Sequence, residues 1–214
     1  MRMSETTRKS LLAGVLIAVA AMFSMRVAEY GPLVQGLCFS VGLFGILCSD
    51  AALFTGRMLS VRYVLNGEMG ETPVRRMLRE WAFVLVRNFA GVAVVAIIAY
   101  VLGYDASGIA KAKAETPVFE MLLKAMLCNV MVCLAVYSGR WAKSVTDRFF
   151  ACLMPVACFV TCGFEHSIAD MFYMLLGILN GGVGIVGVVY VLAFSIVGNV
   201  IGGTAYAVLG YERR

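Results

Sequence analysis

The chain has 214 residues, of which 61% are hydrophobic and 14% charged, and its net charge is +5. A soluble domain has about 25% charged residues, so this composition excludes an ordinary soluble protein and indicates an integral membrane protein. The apolar runs are continuous, whereas barrel strands alternate polar and apolar residues over about ten positions. We therefore expect an all-α membrane protein. The basic residues lie in short segments between apolar runs, so we expect no nucleic-acid partner.

A membrane-spanning helix needs roughly 17–25 mostly apolar residues, and six segments of this kind follow one another along the chain. Two of them, about 32–64 and 147–176, are too long for one straight helix and contain polar residues in the middle. We interpret each as two half-helices separated by an irregular break, the first at 48–53 and the second at 161–167. The other four have the length of a single helix and cover about 10–27, 77–102, 119–138 and 184–209.

Each half of the chain thus contains three spans, and the middle span of each is broken. An odd number of spans inverts the second half, so the pattern predicts an inverted 3+3 repeat. Paired broken helices indicate a substrate site near the middle of the membrane, because freed backbone groups and half-helix ends point inward there. The alternative is that each break is only a kink.

The connections between the spans differ strongly in positive charge. Thirteen of the 18 basic residues lie on one side, and by the positive-inside rule this side is cytoplasmic, as are both termini. These residues are Arg2, Arg8, Lys9, Arg57, Arg62, Arg75, Arg76, Arg79, Arg140, Lys143, Arg148, Arg213 and Arg214.

The only histidine of the chain, His166, lies in the second break beside Glu165. An ionisable group at membrane depth is costly and normally faces a bundle interior or a pore. Since imidazole titrates near pH ~6.5, His166 can exchange a proton with a weak-acid anion or simply offer a hydrogen bond. A packing role for this lone histidine stays open. We expect structural roles for Asp50 in the first break and for Glu165, which would bind backbone amides freed by that break.

Three further polar residues are candidates for contact with an anion. Thr55 begins the second half of the second span, where the positive helix end favours an anion. Asn199 lies between glycines of the last span and either lines the path or forms an interhelical hydrogen bond of about 1 kcal/mol. Lys113 precedes the fourth span and either snorkels at the interface or concentrates anions in a vestibule. Without an aligned nucleophile and base, a metal-ligand cluster or a phosphate loop, we expect no enzyme, no cofactor and no metal.

Four segments form a specific pattern over almost the whole chain: LFTG at 53–56, LCNVMVCLAV at 127–136, GFEHSIADM at 163–171 and GNVIGG at 198–203. In these segments and in their order, the chain resembles the formate/nitrite transporter family, which also includes hydrosulfide channels. The resemblance implies an aquaporin-like protomer of six transmembrane helices, assembled as a homopentamer with one pore in each protomer.

The resemblance also implies functional positions. His166, Thr55 and Asn199 would be the central polar residues of the pore, and Lys113 would be a vestibule lysine. Apolar residues that could equally be ordinary core would form the constrictions, namely Phe39, Leu43, Leu53, Phe54, Val132 and Phe159.

The chain departs from the family pattern at three positions. Ala52 replaces the acidic residue usual just before LFT, with Asp50 two positions earlier. Arg87 stands where a small or apolar residue is usual, and we expect it to pair with Glu80 or to face a cavity. Asp170 stands where an uncharged asparagine is common.

We therefore expect a single transmembrane domain over 1–214 that transports a small monovalent weak-acid anion across the inner (plasma) membrane of a prokaryote. Formate and nitrite are the first candidates and hydrosulfide is a further one. A dehydrated anion faces a large desolvation cost at apolar constrictions, whereas the neutral acid faces little. The anion would thus be drawn in by Lys113 and half-helix ends and protonated near His166. The alternatives are a passive anion channel, in which His166 supplies only polarity, and a membrane protein without transport.

Overall fold

The computed structural model describes residues 3–68, 70 and 72–210. Arg2, Arg213 and Arg214, which enter the charge balance between the two sides of the membrane, lie outside this range. Two 3-10 helices, Ala28–Tyr30 and Thr55–Ser60, accompany the α-helices. The α-helices are α1 Glu5–Arg26, α2 Pro32–Ser49, α3 Val61–Leu65, α4 Pro73–Val101, α5 Ser107–Ala114, α6 Val118–Trp141, α7 Val145–Thr161, α8 Ser167–Leu179 and α9 Ile185–Leu209.

Five helices of the described chain are long and apolar enough to cross a membrane, namely α1, α2, α4, α6 and α9. The helices α7 and α8 have 17 and 13 residues. Together they form the long, interrupted segment that the sequence predicts as the fifth span. The all-helical membrane architecture expected from the composition is therefore confirmed.

The first break follows α2, where Asp50 adopts a left-handed backbone conformation with φ of 51°. The chain continues without regular structure to Phe54 and then enters the 3-10 helix Thr55–Ser60 and the short α3. The predicted break is confirmed, but its second half is mostly 3-10 rather than α-helical. Such tighter turns are common in short helical pieces, and a Cβ at Gly56 would lie only 3.2 Å from a methyl group of Val136, so this 3-10 helix packs closely on α6.

The second break separates α7 from α8, as the sequence predicts. Gly163 has a φ of +65°, a conformation that glycine adopts without strain, and the chain then runs through Glu165 to the first residue of α8. The sequence did not predict α5. This short helix lies in the connection before α6 and packs against α8, so it brings Lys113 next to the second break.

Helix packing follows the inverted repeat. In the first half α1 packs against α4, and in the second half α6 packs against α9 in the same way. The half-helix of each half lies against the last helix of the other: α8 packs on α4, and the 3-10 helix Thr55–Ser60 packs on α9. Glycines permit the close approaches, because a Cβ at Gly14 would collide with the backbone of Asn88 and one at Gly202 with that of Met126.

Candidate functional site

The two breaks meet in the centre of the molecule at Thr55 and His166. The hydroxyl oxygen of Thr55 lies 3.1 Å from Nε2 of His166, although the residues are 111 positions apart. Both are buried, with exposed fractions of 0% and 3%. The structure thus brings together two of the polar residues that the sequence analysis singled out.

The hydrogen bonds of His166 define its tautomer. Nδ1 caps the N-terminus of α8 by accepting a hydrogen bond from the backbone amide of Ala169 at 3.2 Å. A neutral imidazole that accepts at Nδ1 carries its proton on Nε2. Nε2 therefore donates to the hydroxyl of Thr55, and the ring is held in one orientation by a bond at each nitrogen.

Two phenylalanines enclose the imidazole. The ring of Phe159 stacks on His166 with centroids 5.9 Å apart and an interplanar angle of 17°. Phe39 meets the imidazole edge to face at 6.5 Å and meets Phe159 at 5.9 Å. An apolar wall thus lies directly against the polar centre, on residues that the family resemblance places at a constriction.

Asn199 of α9 stabilises the second break. Its side-chain oxygen accepts a hydrogen bond from the amide of Ser167 at 2.8 Å, and its nitrogen donates to the carbonyl of Glu165 at 2.8 Å. The same nitrogen also donates to the carbonyl of Ala125. The side chain satisfies backbone groups on both sides of His166, so it fixes the position of that residue.

Asn88 of α4 makes the equivalent contacts at the first break. Its side-chain oxygen accepts from the amide of Phe54 at 2.8 Å, and its nitrogen donates to the carbonyls of Ala52 and Ser10 at 2.9 and 2.7 Å. The sequence analysis did not single out Asn88. The sequence does contain an indication of its role, because Asn88 occupies a place in the third span that corresponds to the place of Asn199 in the sixth.

A third buried asparagine, Asn129 of α6, was also not selected although it lies within a family motif. Its side-chain nitrogen donates to the carbonyl of Asn199 at 2.6 Å and to that of Thr55 at 3.3 Å. It therefore connects the last helix to the residue that contacts His166.

Lys113 lies in a buried cluster of charges and not free in a vestibule. Its ammonium pairs with the carboxylate of Asp170 at 2.9 Å and also with that of Glu165. Burial alone would lower the pKa of Lys113, but the two carboxylates outweigh this effect and raise it above its ordinary value. The lysine is therefore a permanent cation whose charge is already neutralised.

A cavity of about 360 Å³ opens beside the first break. Its apolar lining includes Leu53 and Val136, and its charged lining residues are Asp50, Arg57, Arg140 and Arg148. Arg57 pairs with Glu80 at 3.2 Å, whereas Arg140 and Arg148 form no ion pair with any described residue. Two arginines without an ion pair among the described residues thus line the same cavity as Leu53, one of the expected constriction residues.

Two expected contacts differ in the structure. Glu165 binds Lys113 and not the amides of the first break, because Asn88 already serves the amide of Phe54 there. Arg87 does not pair with Glu80, which binds Arg57; it donates instead to the hydroxyl of Thr7 and the carbonyl of Phe83.

Asp50 contacts the N-terminal part of α1 from the first break. Its exposed carboxylate pairs with Lys9 of α1 at 2.5 Å. The amide of Ala52 donates to the carbonyl of the same lysine residue at 3.0 Å. The first turn of α1 thus fixes the break although the usual acidic residue is missing at position 52.

The residues expected to form constrictions are all buried in one continuous apolar cluster, which also contains much of the ordinary core. They are Phe39, Leu43, Leu53, Phe54, Val132 and Phe159. Among the described residues, no group of three or more His, Cys, Asp or Glu side chains is arranged to hold a metal ion.

A family model described as "Formate/nitrite transporter" matches residues 1–212. The chain belongs to the formate/nitrite transporter family. It is 34% identical over 186 residues to the formate channel FocA of Haemophilus influenzae, an alignment that covers 78% of this chain. The chain spans 64% of the length of that relative.

Solved structures of the family share the fold. A chain titled "FNT family ion channel" superposes with a TM-score of 0.88 at 23% identity, covering 96% of this chain and 88% of the other. A chain titled "Pentameric formate channel with formate bound" superposes with a TM-score of 0.83 at 24% identity, covering 97% and 95%. The inverted arrangement of helices around two breaks is therefore the fold of this family.

Proposed function

We propose that the chain transports a small monovalent weak-acid anion across the membrane through a pore in each protomer, with formate or nitrite as substrate and hydrosulfide as a further candidate. Membership of the formate/nitrite transporter family supports transport of this class. The names of the relative and of the solved structure, both formate channels, favour formate. The pentameric state of that structure supports a homopentamer of this chain as well.

The observation that carries the proposal is the contact between Thr55 and His166 at the meeting point of the two breaks. A hydrogen-bond donor and a hydroxyl are placed there against apolar walls that include Phe39 and Phe159. The N-terminus of α8 adds a partial positive charge beside the imidazole. A small anion or its neutral acid can form hydrogen bonds at this point, whereas the adjoining aromatic wall offers no polar group.

The tautomer of His166 favours one role for this residue. A proton on Nδ1 would face the amide of Ala169 and abolish the bond that Nδ1 accepts. Loss of the single proton on Nε2 would leave an imidazolate. We therefore assign His166 a role as hydrogen-bond donor rather than as acid: its Nε2–H donates to the Thr55 oxygen, so the Thr55 O–H can donate to the substrate, and water supplies the net proton. The substrate then crosses the constrictions as the neutral acid, which avoids the desolvation cost of an ion.

The alternative is a passive channel through which the anion passes charged. Arg140 and Arg148, which form no ion pair with any described residue, favour anion entry from their side in either mechanism. These arginines lie on the side that the charge distribution assigns to the cytoplasm of a prokaryote with the chain in its plasma membrane, so both termini would lie there too.

The proposal is tested by a substrate panel in proteoliposomes. Uptake of formate, nitrite, hydrosulfide and the larger lactate is measured at several pH values against empty liposomes. Rapid uptake of one of the three small anions that rises as the pH falls supports transport of the neutral acid. Current that scales with the anion concentration far above the substrate's pKa would favour the passive channel, and no uptake of any small anion would contradict the proposed function.

A further inference from the structure

Three charged side chains from different parts of the chain meet beside the second break, and we call them the Lys113 cluster: Lys113 of α5, Glu165 of the break and Asp170 of α8. The lysine ammonium contacts both carboxylates. The two carboxylates are buried, with exposed fractions of 6% for Glu165 and 1% for Asp170, and the side chain of Lys113 is 16% exposed. Asp170 also lies one helical turn after His166, whose carbonyl accepts from its amide at 2.8 Å.

The cluster contains one more acid than base. With both carboxylates ionised its charge would be −1, and among the described residues neither carboxylate pairs with a second cation. The carboxylates also repel each other electrostatically. A buried charge without a partner is strongly unfavourable, and two carboxylates that share one site do not both ionise at neutral pH.

The helices packed against α8 supply no buried positive charge that could balance the second carboxylate. The buried side chains of α1, α4 and α9, which pack against α8, carry no charge. Two further titratable groups lie near the cluster, namely Tyr173 of α8, whose ring lies 5.6 Å from the lysine nitrogen, and Cys128 of α6. His166 is held as the neutral tautomer. Oδ2 of Asp170 has no hydrogen-bond partner in the described chain, so it has room for a proton.

We propose that Asp170, within the Lys113 cluster, is a proton-binding site, which retains one exchangeable proton at neutral pH and releases it to water as the pH rises. With the proton bound, the Lys113 cluster is neutral and an anion can approach His166 from this side. Release of the proton gives the cluster a charge of −1, which repels the anion. The effect on transport rests on the proposed function, whereas the binding of the proton does not.

Infrared spectroscopy of the purified protein in lipid tests the proton directly. We expect a carbonyl stretch of a protonated carboxyl group at neutral pH, shifted in heavy water. It disappears in Asp170→Asn, which removes the second acid at the same size, and in Glu165→Gln, which leaves one carboxylate for one lysine. Asp50→Asn is the control, because that carboxylate is exposed at the other break, and the band persists there. Absence of the band from the parent, or its persistence in Asp170→Asn or Glu165→Gln, would overturn the proposal.

Substrate uptake gives a second readout. The ratio of uptake by Asp170→Asn to uptake by the parent should rise with pH, by up to about tenfold per pH unit, because only the parent acquires the negative charge. A ratio that stays constant with pH would contradict the effect on transport. A parent that takes up no small anion would contradict the proposed function, while the infrared result would still decide whether the proton is bound. Elution as the parent oligomer establishes that each variant is folded.

Discussion

Asn88 and Asn199 occupy corresponding places in the two halves of the molecule, and each satisfies the backbone of one helix break. Asn88 binds the amide of Phe54 and the carbonyl of Ala52 in the first break. Asn199 binds the amide of Ser167 and the carbonyl of Glu165 in the second. Together they fix the two segments that bring Thr55 and His166 into contact.

Replacing either asparagine by alanine should therefore destabilise the protein. Each replacement leaves a buried amide and buried carbonyls without partners, at about 1–3 kcal/mol per unsatisfied group. We expect Asn88→Ala and Asn199→Ala to lower the melting temperature in detergent by similar amounts. Asn66→Ala is the control, since Asn66 bonds Glu68 on an exposed turn, and its melting temperature should barely change. Equal stability of all three variants would show that the breaks do not depend on these side chains.

Loss of the Thr55 hydroxyl should reduce transport. In Thr55→Val, Nε2 of His166 loses its acceptor in a buried site, and the ring is no longer held at both nitrogens. A cost of about 1.4 kcal/mol in the transport barrier corresponds to a tenfold slower rate, so we expect a decrease of about this size in proteoliposome uptake. Thr55→Ser keeps the hydroxyl and should retain most of the rate. Equal rates for Val and Ser at position 55 would argue against a role for this bond.

Shortening Leu53 should relax selection by size. Leu53→Ala removes bulk from the apolar lining of the cavity beside the first break, so lactate uptake should rise relative to formate uptake. The matched control is Leu59→Ala in the 3-10 helix that follows Leu53, which removes the same atoms from a residue that lines a different cavity. Both should lose about 2–5 kcal/mol of stability. An unchanged ratio of lactate to formate in Leu53→Ala would place the constriction elsewhere.

Removing positive charge from the lining of the cavity should weaken anion capture. Arg140→Gln and Arg148→Gln should each raise the apparent KM for the anion, by about two- to tenfold at low ionic strength, with little change in the maximal rate. The difference should shrink in high salt, because the distance beyond which charges are screened falls from about 10 Å at 0.1 M salt to about 3 Å at 1 M. Lys143→Gln is the control. It lowers the net charge by the same amount between Arg140 and Arg148 in the sequence, but Lys143 does not line the cavity. An equal effect of Lys143→Gln would mean that only the overall charge matters.

The sequence predicted the all-helical fold, both breaks and the burial of His166, since each leaves a local signal. An apolar run longer than one span indicates a break, and a lone histidine within it indicates a polar site. The second half of the second span was expected to be α-helical and is mostly 3-10, because packing against neighbouring helices determines the form of so short a segment.

Partnerships between distant residues were less predictable. The sequence cannot show that α5 brings Lys113 onto Asp170, because 57 positions separate them and no periodic pattern relates them. The contact between Arg57 and Glu80 was unpredictable for the same reason. Because Glu80 binds Arg57, Arg87 donates a hydrogen bond to Thr7 instead. The role of Asn88 was not predicted, because its correspondence with Asn199 is seen only when the two halves of the inverted repeat are compared position by position.

The central claim is that substrate crosses beside His166 with the help of its Nε2–H group. The most direct test is formate and nitrite uptake into proteoliposomes by the parent and by His166→Phe across a range of pH. Phenylalanine fills the site but can neither donate to Thr55 nor cap α8. We predict that the pH-dependent uptake of the parent is lost in the variant, while the variant still elutes as the parent oligomer. Undiminished anion uptake by His166→Phe, with the pH dependence of the parent, would contradict the claim.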